Sequence, residues 1–340
     1  MTSDALGRQA AGAVFVIGRD AVPAGHADAV LEGAAVAQAD AAVIGMTGPG
    51  ALQCMQGLLT NELEACGKLC FVYGAVLTPK GMIISDMWVA REDGDLTIFA
   101  PGTARATLTA QFARQVPPRL ARTEDLTEKV AVLRLAGPAA IESAERAGLA
   151  VPEAGRMTTG TLGDASYVTA VPSLGMPFAL QLTCTRTDRG LFLEALGHVG
   201  VTPVDAAGLE LARVLAGWPR LGAEIGERTL PPEVRYDEID GVSYTKGCYT
   251  GQETVARLHF RGHANWKLAG LMFDEDPDLH TSDIIHGGKT VGRVSSAAWV
   301  GHWSQYAGLA MLRHEVQAGE VVVACGAAAR TIDLPFRLER

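Results

Sequence analysis

Apolar residues in this chain come in short runs broken by glycine, proline or charge, and the period of each run predicts its element. LCFVYGAVLT (69–78), MIISDMWVA (82–90) and LTIFA (96–100) are joined by PKG and REDGD turns. Short turns between short apolar runs predict an antiparallel meander. After Pro101, GTARATLTAQFARQV (102–116) takes a helical spacing, and the strand-like YVTAV (167–171) and FALQLTC (178–184) precede a helix around LFLEALGHV (191–199). Strands and helices mixed within largely antiparallel sheets predict an α+β fold rather than a doubly wound one. From about residue 262 the texture changes to KLAGLMF, TVGRVSSAAW, YAGLAMLR, EVVVACG and TIDLPF, several short strands between Gly, Asp or His turns. That pattern predicts a small C-terminal β-barrel.

Two stretches share one plan. AAVIGMTGPGALQCMQGLL (41–59) and VAVLRLAGPAAIESAERAGL (130–149) each read as a buried strand, a Gly-Pro step and an Ala-rich helix. Pro49 and Pro138 fall where a helix's first turn tolerates a missing N–H. A generic strand-to-helix turn used twice gives the same pattern, so the residues alone leave both readings open. Three modules are expected: 1–120 and 121–261 as two α/β halves of one core, and 262–340 as the barrel.

Composition narrows the function classes. A chain of 340 residues suits two or three packed modules. No apolar run reaches the roughly 18 to 20 residues that a membrane span requires, so no membrane partner is expected. A net charge of −9 opposes nonspecific attraction to phosphate backbones, so direct nucleic-acid binding is not expected either. The cysteines at 54, 66, 70, 184, 248 and 325 show no CxxC pair and no zinc-finger spacing. Scattered in this way they fit a reducing compartment, and the expectation is a cytoplasmic protein. AAGAVFVIG (10–18) has the length of a signal-peptide apolar region, but Asp4 spoils a basic lead and the stretch also suits a first β-strand, which is the reading adopted. No GxGxxG or GxxxxGK[ST] string supports a nucleotide site. His259 and His263 stand four apart, but Gly262 interrupts their helix and no third ligand is spaced to join them, so no metal site is expected.

The densest chemistry is KGCYTGQETVAR (246–257). The flanking VSYT (242–245) predicts a strand and QETVARL a helix, which places the motif at a strand-to-helix junction. Gly247 and Gly251 would supply backbone freedom there. Amide donors and the Lys246 ammonium would favour thiolate on Cys248, the recipe for a reactive or metal-binding cysteine. Glu253 and Arg257, four apart, would fix both heads at one edge of a pocket. On spacing alone, Cys248 also fits a packed, inert thiol, and Glu253 with Arg257 a solvated surface pair.

KGCYTGQETVAR resembles the signature of the YgfZ family of folate-binding proteins, relatives of the glycine-cleavage T-protein (aminomethyltransferase). The likeness runs from about residue 40 to 335. LLTNELEACGKLCFVYGAVLTPKGMIISDMWV (58–89) resembles an upstream family block, ARVLAGWPRLGAEIGERTLPPE (212–233) a central one, and FRGHANWKLAGLMF (260–273) the bridge into the last domain. The resemblance implies an aminomethyltransferase-like folate-binding fold, with tetrahydrofolate or a one-carbon derivative in a central channel. A pterin needs a flat apolar slot with a few placed donors and acceptors, and the folate tail needs cations near the mouth. Tyr73, Met87, Trp88, Trp218 and Tyr249 are candidates for the slot, although core packing suits each aromatic as well. Asn61, Asp86, Gln252 and Glu253 are candidates for polar edges, and Arg213, Lys246 and Arg257 for carboxylates. The resemblance further implies a role in assembly or repair of iron–sulfur clusters in client or partner proteins, tRNA-modifying enzymes among them. Cys248, Lys246 and Asp86 would be the working groups. Two departures from the transferases weigh against aminomethyl transfer. Ser85 stands where the T-protein turn carries a first carboxylate, and Leu215 where a glutamate grips the pterin. The alternative is a folate-dependent aminomethyltransferase or demethylase that uses Asp86 as acid or base. A purely structural adaptor is the third reading.

Overall fold

Burial along Ile83–Glu92 is nearly continuous, because this strand is covered on both faces. Met87 and Val89 join a core with the helix Arg105–Gln115, while Trp88 and Ala90 face the opposite way, into a core shared with a second sheet. In a computed structural model describing residues 14–337, the meander of the sequence forms as expected. Leu69–Leu77, Ile83–Glu92 and Asp95–Pro101 run antiparallel, followed in the same sheet by Ala41–Thr47 and Arg122–Asp125.

A six-stranded sheet follows the order Thr202–Pro203, Ala35–Gln38, Val130–Ala136, Leu180–Thr185, Ala165–Ala170, Met157–Leu162. Its Val132 and Met157 meet Phe71, Tyr73 and Trp88 of the first sheet in the central core. Residues 218–255 close that core with Trp218, Val234, Tyr236, Tyr249 and Val255.

The C-terminal strands form a closed antiparallel barrel: Lys289–Val300, Asp283–His286, Val321–Ala324, Ala327–Ile332, Trp266–Phe273 and Gln305–Arg313, the last pairing back onto the first. Alternation is plain in Val321–Ala324, where Val321 and Val323 face solvent and Val322 and Ala324 face the barrel interior.

The repeated plan is present in both places. Ala41–Thr47 leads through Gly48 and Pro49 to the helix Ala51–Gln56, and Val130–Ala136 through Gly137 and Pro138 to Ala140–Arg146. Both glycines are obligatory: φ is +132° at Gly48 and +101° at Gly137, and a Cβ would lie 2.7 Å from Leu120 O and 2.4 Å from Gly33 O, respectively.

Residues 15–38 serve the other modules, which a consecutive division of the chain does not capture. Phe15–Ile17 pairs in parallel with barrel strand Lys289–Val300, so the middle of the 10–18 stretch is a strand; residues 10–13 lie outside the described residues. Ala35–Gln38 belongs to the second sheet, and the helix Ala24–Leu31 packs on Ala206–Leu215. Among the described residues, no helix is long and apolar enough to cross a membrane.

Candidate functional site

Asp86 lies mid-strand on the face that looks toward the second sheet. Its strand neighbour places Tyr73 opposite Trp88, two residues along, so the Tyr73 hydroxyl donates to Asp86 Oδ2 at 3.1 Å. The same phenol lies 3.3 Å from the Tyr236 hydroxyl. Asp86 Oδ1 is buried and has no hydrogen-bond partner among the described residues. Burial raises the carboxyl from its ordinary value to about 6, against the opposing effect of the Tyr73 bond and of the Arg134 and Arg213 charges.

A cavity of about 190 Å³ opens at this carboxylate. Trp88 stacks on Trp218 at 5.7 Å between ring centroids and meets Phe178 at 5.3 Å, so the wall is flat and aromatic. Opposite, Val130–Ala136 alternates so that Val132 enters the central core and Leu133 the core behind its own sheet; Arg134 therefore shares the inward face and lines the cavity. Larger hollows of 400, 410 and 540 Å³ lie elsewhere; in the 410 Å³ one Arg235 bonds Glu238, Gly217 O and Leu334 O and Glu233 accepts from Leu230 N, and in the 400 Å³ one Lys68 pairs with Asp93 while Arg91 donates to Leu63 O and Asp93 O. The 540 Å³ hollow is lined by apolar residues, hydroxyls and a thiol. A buried carboxylate oxygen with no hydrogen-bond partner among the described residues marks the smaller cavity as the candidate site.

The motif loop is built differently from the expectation. Residues 242–245 form no strand; the segment is tied to the loop before the meander by single bonds, Ser243 N to Thr60 O and Thr250 N to Gly57 O, instead of by a ladder. The helix is Gln252–Arg261, with Gly251 at φ +84° as its N-cap. A Cβ on Gly251 would lie 2.5 Å from Thr78 O, so glycine is required there, whereas one on Gly247 would meet nothing within 4 Å. Lys246 is not a free partner for Cys248. Its ammonium donates to Gln56 O, Leu59 O and Asn61 O at 2.7–2.8 Å, which fills its three donors. Burial lowers its pKa to about 8, with Glu62 and Glu64 opposing.

The other sequence candidates separate in the same way. Asn61 donates to Tyr73 O and Asp240 O and accepts from Glu62 N, so it braces the backbone. Gln252 Oε1 accepts from Tyr249 N, and Tyr249 packs in the central core, its phenol pushed up to about 12 by burial. Glu253 and Arg257 are both exposed and make no ion pair with each other. Arg213 does line the cavity, but Glu210, Glu224, Trp218 O and Ser296 Oγ take up its guanidinium, so it locks the helix Ala206–Leu215 to the barrel and is not available to a carboxylate. Ser85 points away from Asp86's cavity and donates to Asp86 O, and Leu215 packs against the barrel.

Cys248 is exposed, not packed, and is not among the residues lining the Asp86 cavity. The structure thus brings together Asp86, Met87, Trp88, Arg213 and Trp218, with Tyr73 behind them, and leaves the motif's thiol apart. Cys66 and Cys70, read as scattered thiols, are joined in a disulfide because the 63–69 loop turns back and brings their Cα atoms to 5.9 Å. Arg134, Phe178 and Tyr236 were missed. For Arg134 the signal was present: a charge in the middle of an apolar strand, the same mark that singled out Asp86.

The family described as the GCVT N-terminal domain matches residues 20–151, somewhat less than half of the chain. The chain is 36% identical over 93 residues to the tRNA-modifying protein YgfZ of Vibrio vulnificus strain CMCP6, a match covering 26% of this chain and 29% of that protein. It is 45% identical over 58 residues to the tRNA-modifying protein YgfZ of Escherichia coli O139:H28, covering 16% and 18%. Each match therefore spans less than a third of the curated relative's own length. Among solved structures, the glycine cleavage system aminomethyltransferase T of Bartonella henselae superposes with a TM-score of 0.76 at 16% identity, over 93% of this chain and 90% of that one. The aminomethyltransferase-like fold and the resemblance to YgfZ read from the sequence are borne out.

Proposed function

We propose that this chain binds tetrahydrofolate, or a one-carbon derivative of it, at the Asp86 cavity and supports assembly or repair of iron–sulfur clusters in client proteins of the cytoplasm, tRNA-modifying enzymes among them. The observation that carries the ligand reading is the orphaned Asp86 Oδ1 in a flat aromatic recess. A buried acceptor without a donor is costly unless a ligand N–H completes it, and a pterin supplies both the ring to fill the slot and the N–H. The cluster reading rests on the likeness to YgfZ proteins and on the exposed thiol of Cys248. One thiolate holds iron only in passage, as a single ligand to the metal, since a stable cluster takes four protein ligands. Cys248 and the cavity lining are separate, so folate would act on the thiol through the fold and not by direct contact.

Calorimetric titration with tetrahydrofolate tests the first half: saturable binding that Asp86→Ala weakens at least about tenfold is expected. Cys248→Ser tests the second. It should keep its folate affinity and its unfolding midpoint yet fail to restore activity of iron–sulfur enzymes in cells lacking the protein. Full restoration would refute the thiol's role.

A second reading is favoured by one observation, the Asp86 carboxyl with its pKa of about 6, which suits proton exchange near neutrality. On that reading the protein is a folate-dependent aminomethyltransferase or demethylase. Purified protein would then form methylenetetrahydrofolate from an aminomethyl or methyl donor, whereas the first reading expects binding without turnover.

A further inference from the structure

The cavity holds a second charge without a counter-ion. Among the described residues, the Arg134 guanidinium makes one hydrogen bond, from Nε to the neutral Gln181 Oε1 at 3.2 Å, and no ion pair. Its Cζ lies 4.4 Å from the centroid of the Phe178 ring, itself packed on Trp88, so a cation–π contact and an amide hold the fork at the cavity wall while its terminal amino groups make no hydrogen bond among the described residues. Burial lowers its pKa to about 10, which leaves it charged at neutral pH. Asp86 and Arg134 attract each other at a distance without closing into a pair, and both line the space between them. Two opposite charges, neither with a counter-ion in contact, facing one aromatic recess match a ligand edge that carries a donor beside an acceptor.

Resting on the folate reading of this site, we infer that Arg134 determines its specificity: the guanidinium donates to the ring carbonyl of a bound pterin while Asp86 Oδ1 accepts from a ring N–H. The cavity therefore takes fused pyrimidinones and discriminates against rings in which an amino group replaces the carbonyl. The tail carboxylate is a poorer occupant of this position. It would set an anion near the Asp86 carboxylate in a low-dielectric recess, where like charges repel strongly, and a neutral carbonyl avoids that. The cations expected for the tail do not compete for the role, since Lys246 and Arg213 are fully engaged and Arg257 is outside the lining.

The test is calorimetric titration of the full-length protein and of Arg134→Gln with two ligands, tetrahydrofolate and its 4-amino counterpart, tetrahydroaminopterin. Loss of a charge-assisted bond to the carbonyl should weaken tetrahydrofolate at least about tenfold. The 4-amino ring has no carbonyl to lose, so its affinity should change less than about threefold. Thermal unfolding checks that the variant is folded. If it is not, Arg134→Lys, which keeps the charge and loses the fork, takes its place and should likewise weaken tetrahydrofolate selectively. Equal losses for both ligands, or no loss for either, would overturn the inference while leaving folate binding intact. Binding of neither ligand by the unmodified protein would remove the folate reading itself, and the inference with it.

Discussion

In the loop at 246–257 the polar groups nearest the core have partners: Lys246 has three carbonyl acceptors, Gln252 accepts from Tyr249 N, and Gly251 lets the backbone close on Thr78. In the strand Ile83–Glu92 a single buried carboxylate keeps one oxygen unpartnered. The segment richest in reactive residue types thus functions mainly as a clasp, and an ordinary-looking strand supplies the unmet chemistry. Density of functional groups and availability of functional groups are different properties, because folding satisfies most buried polar atoms and a ligand can use only those left over.

The largest effect should come from breaking the clasp. Lys246→Met strands three part-buried carbonyls, and a loss of about 4 kcal/mol in urea denaturation at pH 7 is expected. A loss below about 1 kcal/mol would show that the motif is held by something other than this ammonium.

Next comes the orphaned carboxylate, which should behave in the opposite sense. The folded Asp86 carboxyl, at about 6, lies above its ordinary 3.8, so it holds its proton more tightly folded than unfolded. Its favourable contribution is complete below about pH 4 and lost as pH rises through about 6, leaving the ionised group a cost of about 3 kcal/mol at pH 8. Asp86→Asn is therefore expected to be more stable than the parent by up to about 3 kcal/mol at pH 8, the gain falling to about 1 kcal/mol near pH 4.5 and toward zero below about pH 3. A stability difference that does not vary between those pH values would contradict the assignment. A residue kept at a cost to stability fits a binding role.

The smallest effect separates the two glycines of the motif. Gly251→Ala meets a positive φ and a backbone oxygen and should cost about 2 kcal/mol, while Gly247→Ala, in open space, should leave the unfolding midpoint where it is. Similar costs for both would mean that the motif's geometry is not set at the Thr78 contact.

The two copies of the strand, Gly-Pro and helix plan show how much of the site was legible. Aligned on their Gly-Pro steps, Arg134 of the second copy corresponds to Gly45 of the first, where a Cβ would lie 3.1 Å from Leu126 Cδ1. The plan itself is readable from apolar period and turn residues, since each depends on neighbours a few positions away. That one copy presents a guanidinium to a cavity and the other packs a leucine over a glycine is not, because the cavity exists only once the two sheets face each other. The strand expected at 242–245 failed for a related reason: β-branched and aromatic residues mark a surface that packs, and here they pack as a loop clamped to residues 57–60.

By itself the sequence determined the meander, the C-terminal barrel, the two Gly-Pro steps at 48–49 and 137–138, and the oddity of Asp86 within an apolar strand. Each is a local property of period or backbone conformation. The tertiary structure alone decided which polar groups remain available. Acceptors for Lys246 come from residues 56–61, and Arg213 is engaged by Glu224 and by Ser296 of the barrel, whereas one Asp86 oxygen and the ends of the Arg134 fork receive nothing. Saturation of a hydrogen-bonding group depends on distant segments arriving beside it, and no spacing along the chain encodes that arrival.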